Sequence, residues 1–130
     1  MTSALLAISA CFAAPGVRAQ SAFLYPQIGN ALSTTVIAIK PGAGALSLLQ
    51  CYNPNSSQIY VQLFNLPKAS VTLGTTTPIL SVPIAPTSTG GFALSPSGLV
   101  FTGAISAAAT TTATGSSAPS TAPDCNFGYY

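Results

Sequence analysis

Residues 58–65 read Gln-Ile-Tyr-Val-Gln-Leu-Phe-Asn. Ile59, Val61 and Leu63 fall on one side of a period-two repeat, and Tyr60, Gln62 and Phe64 on the other. Alternation of this kind marks a β-strand. The same signal recurs along the chain. "STTVIAIK" (Ser33–Lys40) is dominated by β-branched residues and stops at "PGAG". "ALSLLQCYN" (Ala45–Asn53) predicts the next strand, and "PNSS" (Pro54–Ser57) a turn. Two strands around a short turn predict a hairpin over Ala45–Asn65.

Beyond it, residues 66–78 predict a connection holding a short strand-like "SVTLG". "ILSVPIAP" (Ile79–Pro86) alternates, but Pro83 has no N–H for a ladder, so this strand belongs at a sheet edge or a bulge. "TSTGG" predicts a turn, and "FALSPSGLVFTG" two short runs around Pro96-Ser97-Gly98. In "AISAAATTTATG" (Ala104–Gly115) alanine favours helix and threonine favours strand. Strand fits the rest of the chain. "SSAPSTAP" predicts a loop and "DCNFGYY" a terminal strand. Low complexity is confined to residues 107–123; apolar residues on both sides and the aromatic end argue that this stretch is held in place.

Short strands at roughly 8–12-residue spacing, with Gly and Pro between them, predict an all-β fold: a single antiparallel β-sandwich, jelly-roll-like, over residues 31–130. Residues 1–30 form an apolar N-terminal arm or signal-like segment ahead of it. The expected core is Val36, Ile37, Leu48, Ile59, Val61, Leu63, Leu80, Val82, Phe101 and Ile105.

Charge changes the picture most. The chain has 130 residues, of which 48% are hydrophobic and 3% charged, against about 25% charged in an ordinary soluble domain. Arg18, Lys40 and Lys68 are the bases, Asp124 the acid, and histidine is absent. Disordered chains are charged and poor in apolar residues, so disorder is a poor account. Three scattered cations make no phosphate-tracking patch, which argues against nucleic acid. No stretch after residue 30 is apolar for the roughly 20 residues that cross a bilayer, which argues against a membrane. A surface this short of charge suits a subunit covered by neighbours, in a homo-oligomer or a larger assembly.

At the start, "MTSALLAISACFAAPGVRAQ" carries an apolar run from Ala4 to Ala14, a Pro-Gly break and Val17-Arg18-Ala19, an A-x-A-like cleavage pattern. No basic residue precedes the run. The segment is either a cleaved secretory signal or a retained arm. A retained arm is too apolar for water and too short for a bilayer, so its expected resting place is a neighbouring subunit.

Cys11, Cys51 and Cys125 form no CxxC, and without histidine a zinc site lacks a fourth strong ligand. A Cys51–Cys125 disulfide is open to neighbouring strands, but buried free thiols are the favoured reading.

Catalytic chemistry is short of parts. With no His, no Glu and one Asp, neither a Ser-His-Asp arrangement nor a two-carboxylate glycosidase can be built. No phosphate loop occurs, and a calcium cage needs several carboxylates. The expectation is a non-enzyme without cofactor or metal. Asp124 reads as an inter-subunit partner for Lys40 or Lys68, or, preferably, as a turn or cap residue after Pro123. The five tyrosines suit a carbohydrate-stacking face or, more commonly, core edges and subunit interfaces.

"CYNPNSSQIYVQLFN", "VTLGTTTPILSVPIAP" and "GGFALSPSGLVFTGAISAAATTTATGSSAPSTAPDCNFGYY" together resemble a family of small proteins encoded by tailed bacteriophages and prophages. The likeness covers about residues 50–130. It implies a phage particle component with a β-sandwich fold, and brings no catalytic residues. The expected role is a capsid cement or decoration protein, expected as a trimer, that stabilises the shell of the major capsid protein. A tail, neck or fibre-base component with a receptor-binding face is one alternative. A secreted bacterial surface or filament subunit is another, and the signal-like start favours it. The virion is the expected location, or the extracellular space if the N-terminal segment is cleaved. Leu5, Leu6, Ile8 and Phe12 in the arm, with Tyr129 and Tyr130 at the other terminus, are the candidate assembly contacts.

Overall fold

The computed structural model describes residues 25–94 and 97–130. Nine strands run β1 Tyr25–Ala31, β2 Ile37–Lys40, β3 Gly44–Asn53, β4 Ile59–Phe64, β5 Leu80–Ile84, β6 Ser88–Ala93, β7 Leu99–Phe101, β8 Ile105–Thr110 and β9 Asp124–Tyr129. The strand-like "SVTLG" (residues 70–74) forms no strand: a 3-10 turn at Lys68–Ser70 runs into it, and a turn follows at residues 73–75. The sandwich begins at Tyr25, so β1 takes in the end of the segment expected as an arm.

Strand pairing explains the architecture. β4 pairs with β5, β3 with β6 and β7, β2 with β8, and β1 with β9, all antiparallel. The chain is therefore one long hairpin whose tip is the β4–β5 connection. Wrapping that ribbon brings β3 onto β9 and β4 onto β8. The result is two sheets. Sheet A has the order β1-β9-β3-β6, with β7 continuing the β6 edge along β3; sheet B has the order β2-β8-β4-β5. With β6 and β7 counted as one interrupted strand, this is the eight-stranded double Greek key of a jelly roll. Pro83 lies in the edge strand β5, where a missing N–H costs no ladder bond.

The hairpin expected over Ala45–Asn65 does not exist. Its two strands are present, but β3 belongs to sheet A and β4 to sheet B. The turn signal marks a corner between sheets, and nothing in a turn's composition distinguishes the two. Similarly, "TSTGG" is mostly strand β6. The bend comes earlier, at Thr87, which has φ 47°. Gly91 within β6 has φ 142°, and a Cβ there would lie 2.0 Å from the Leu49 carbonyl oxygen.

The core fills the space between the sheets. Ile59, Val61, Leu63, Phe101 and Ile105 are fully buried as expected, and Ile37, Leu80 and Val82 pack against them part-buried. Val36 and Leu48 are only half-buried. In β3 the register shifts between Leu46 and Leu48, and the extra residue reverses the pleat. Leu46 and Leu49 thus both point inward, and Leu48 is left on the outer face. A second irregularity between Ala38 and Lys40 accompanies the full burial of Ile39.

Cys51 and Cys125 are direct partners in the β3–β9 ladder and form a disulfide. The free-thiol reading is corrected by register: the wrapped ribbon sets two residues 74 apart in sequence side by side. Closing a loop of that length stabilises the fold by about 4 kcal/mol in the chain-entropy account.

Sheet B carries a further layer. Gln62, Phe64, Ser106, Ala108 and Thr110 alternate with core residues, so they point outward, yet all are buried. Two long connections cover them. Leu66 accepts a hydrogen bond from Ser106 Oγ at 2.7 Å. From the other side, Gln62 Nε2 donates to Thr110 Oγ1, Thr112 O and Gly115 O, and Ser81 Oγ donates to Ala113 O. A Cβ on Gly74 would approach Ser116 Oγ to 3.4 Å, so the two connections meet. The threonine-rich segment is held in place.

Candidate functional site

Among the described residues, the outer face of sheet A has no such cover. Register fixes its rows. At one end Val100 of β7 stands opposite Ala45 of β3, and Ala45 exchanges two backbone hydrogen bonds with Tyr130. The small central residue leaves a trough between two larger walls. Val100 is 66% and Tyr130 36% exposed. Together with Ala43, Gly44, Phe101 and Thr102 they border an open depression of about 520 Å³. A Cβ at Gly44 would sit 2.6 Å from the Tyr130 carbonyl oxygen and 2.6 Å from Lys40 Cδ, so glycine allows the close approach that shapes one side. Leu94, 42% exposed, follows β6 at this edge, its N–H donating to Ser47 O.

Toward the far end the rows become polar. Gly91, Gln50 and Asn126 form one, and Thr89, Tyr52 and Asp124 the next. Tyr52 is 47% exposed. Asp124 is exposed in strand β9, not a turn residue after Pro123, and no side-chain hydrogen bond to backbone amides accompanies it. No ion pair to Lys40 or Lys68 occurs within the chain among the described residues.

Of the candidate assembly contacts, Tyr130 lies in the apolar trough. Tyr129 points the other way and packs part-buried against the core. Leu5, Leu6, Ile8 and Phe12 lie outside the described residues. Val100 was not singled out in the sequence. It is one apolar residue in a short apolar strand, and only its pairing with Ala45 shows that it faces out.

At the opposite end of β3 is a polar junction. Asn53, fully buried, shares its two Nδ2 hydrogens among the carbonyls of Ser57, Ile84 and Ala85, at 2.9, 3.1 and 3.0 Å. Its Oδ1 accepts from the backbone N–H and the Nδ2 of Asn55. Asn55 in turn donates to Thr121 O and accepts from Thr121 N–H, while its carbonyl accepts from Thr87 N–H. Three connections are thereby locked at one corner. A flipped Asn53 amide would set carbonyl against carbonyls, so the orientation is determined. Beside this junction residues 54–58 face Thr111 and Pro119–Thr121 across a half-enclosed cleft of about 410 Å³.

Fold and surface define a jelly-roll module of very low charge with, among the described residues, one covered and one open sheet face. Comparison with protein-family profiles, with curated proteins and with solved structures gives no match. The likeness to small phage proteins therefore rests on its sequence motifs alone. Among the described residues, no helix is long and apolar enough to cross a membrane.

Proposed function

We propose that this chain is a non-enzymatic structural subunit of a bacteriophage virion, seated on the particle through the open face of sheet A. The partner is the major capsid protein, and the role is that of a cement or decoration protein. The observation that carries this reading is the apolar row Val100–Ala45–Tyr130, whose outer members Val100 and Tyr130 are exposed on a face whose counterpart in sheet B is sealed. Contiguous exposed apolar surface marks sites of association. The chain has few ionisable groups for acid–base chemistry: no histidine, no glutamate, and Asp124 as its one acidic side chain.

The test is binding of purified subunit to particles stripped of it. Val100→Asp should fold with an unchanged melting temperature and lose binding, because it sets an unpaired charge in a desolvated contact. Full binding by that variant sinks the docking face. Copy number in purified particles separates cement from a tail, neck or fibre-base part: high in the first case, low in the second.

The disulfide favours a second reading. Disulfides persist in oxidising compartments, and with the signal-like start, Cys51–Cys125 fits a secreted bacterial surface or filament subunit. N-terminal sequencing decides: a mature chain that begins after Ala19 supports export.

A further inference from the structure

We infer that the cleft between residues 54–58 and the 111–121 segment is a binding site for a neutral oligosaccharide. Its volume, about 410 Å³, falls within the range of small-molecule sites, roughly 300–1,000 Å³. Its lining combines hydroxyls and an amide (Ser56, Ser57, Gln58, Thr111, Ser120) with the apolar surfaces of Pro54 and Pro119. The hydroxyls of Ser56, Ser57, Thr111 and Ser120 make no internal hydrogen bond among the described residues, and each can donate and accept. No charged side chain lines the cleft. A phosphate, carboxylate or ammonium ligand would lose hydration there with no opposite charge to replace it. A sugar presents hydroxyls to the polar wall and C–H faces to the prolines, and buries no charge.

The second observation is the rigidity beneath. Buried amides are costly unless fully bonded. Here Asn53 and Asn55 are buried and bonded on both amide atoms, tying the 54–58 turn, the 85–87 bend and Thr121 together. Walls fixed before binding reduce the ordering cost, which is where a weakly polar site loses most. The cleft has no acid pair, so it binds without cleaving.

Placement gives the site a use. Cleft and apolar trough lie beyond opposite ends of β3, a strand of ten residues, hence about 30 Å apart. A subunit docked by the trough leaves the cleft, at the other end of β3, outside the apolar contact. That presentation rests on the proposed docking face; binding by the cleft does not.

The experiment is a titration of isotope-labelled full-length protein, followed by amide chemical shifts. The probes are neutral gluco-, manno- and galacto-oligosaccharides, neutral fragments of bacterial surface polysaccharide, and uronic-acid oligosaccharides of matched length. At least one neutral probe should shift amides of residues 54–58, Thr111 and Ser120–Thr121, and bind more tightly than its acidic counterpart. Response to the bacterial fragments alone identifies a host-surface glycan; response to the simple oligosaccharides identifies a general sugar site. Ser120→Trp, which fills the cleft without touching the Asn53–Asn55 bonds, should weaken binding about tenfold or more at unchanged melting temperature. Val100→Asp should leave sugar binding intact, so failure of docking and failure of the cleft are told apart. Absence of shifts with every neutral probe, preference for the acidic probes, or undiminished binding by Ser120→Trp overturns the inference.

Discussion

Gln50 and Gln62 hold equivalent places. Each lies in a central strand, one in β3 and one in β4, and each points away from the core. Gln50 is exposed; Gln62 is completely buried and donates to three acceptors. The sequence around them does not separate the two. The connections do. Sheet B is crossed by the long 65–79 and 111–123 connections; among the described residues no connection of that length crosses sheet A. One sheet face was made part of the interior, and the other stays open among the described residues.

The largest difference is expected for the aromatics. Phe64 on the sealed face is 1% exposed, and Tyr52 on the open face 47%. Phe64→Ala should cost about 3–5 kcal/mol, a fall in melting temperature of about 15 °C or more. Tyr52→Ala should stay within about 0.5 kcal/mol. Equal effects in thermal melts would end the distinction between the faces.

Sheet A has no covering layer but holds a covalent link. Replacing Cys51 and Cys125 together by Ala should lower stability by about 4 kcal/mol in urea titration, with sheet content retained in circular dichroism. A loss below about 1 kcal/mol would show that residual structure in the unfolded chain already holds β3 near β9.

The glutamine pair comes next. Gln62→Ala leaves the Gly115 carbonyl and Thr110 Oγ1 without their donor, while the Thr112 carbonyl keeps the Thr110 hydroxyl, at about 2 kcal/mol. The buried Gln62 Oε1 has no partner of its own, which keeps the figure from being larger. Gln50→Ala should be neutral within about 0.5 kcal/mol. Hydrogen exchange sharpens the result: the Thr111 amide, which donates to Ser117 O, should exchange faster in Gln62→Ala only.

The smallest effect is expected from salt. About 1 M sodium chloride reduces the screening length to about 3 Å, yet the open face offers Asp124 as its charged side chain in the described strands. Particle binding measured across ionic strength should therefore be nearly flat. Release at high salt would replace the apolar trough with an electrostatic contact.

Much of the fold was legible locally. Period-two runs located β4 and β5, apolar and β-branched runs located β2 and β3, and Pro83 assigned an edge. The strand read over Ala104–Gly115 ends at Thr110, so β8 is mostly alanine and Thr111, Thr112 and Thr114 lie in the connection beyond it. Val61, Leu63 and Ile105 were found as core because their strands keep an unbroken pleat. Leu48 was not excluded, because a bulge leaves no mark in the hydrophobic pattern of "ALSLLQ". Of the candidate surface, Tyr130 was legible as a terminal aromatic, whereas Val100 and the Asn53–Asn55 junction were not. An apolar residue announces strand, not direction, and Asn near Pro and Ser announces only a turn.

The sequence by itself determined that the chain is β throughout the jelly roll, that it is almost free of charge, and that it has no histidine, no glutamate and one aspartate. These follow from residue types and from neighbours one or two positions apart, where backbone sterics and side-chain chemistry act. Only the tertiary structure decided that "PNSS" turns between sheets, that Cys51 meets Cys125, and that the threonine-rich segment seals one face and leaves the other bare. Each of those depends on how a long ribbon wraps. The wrapping is set by the summed burial of residues far apart in the chain, and no local pattern carries that sum.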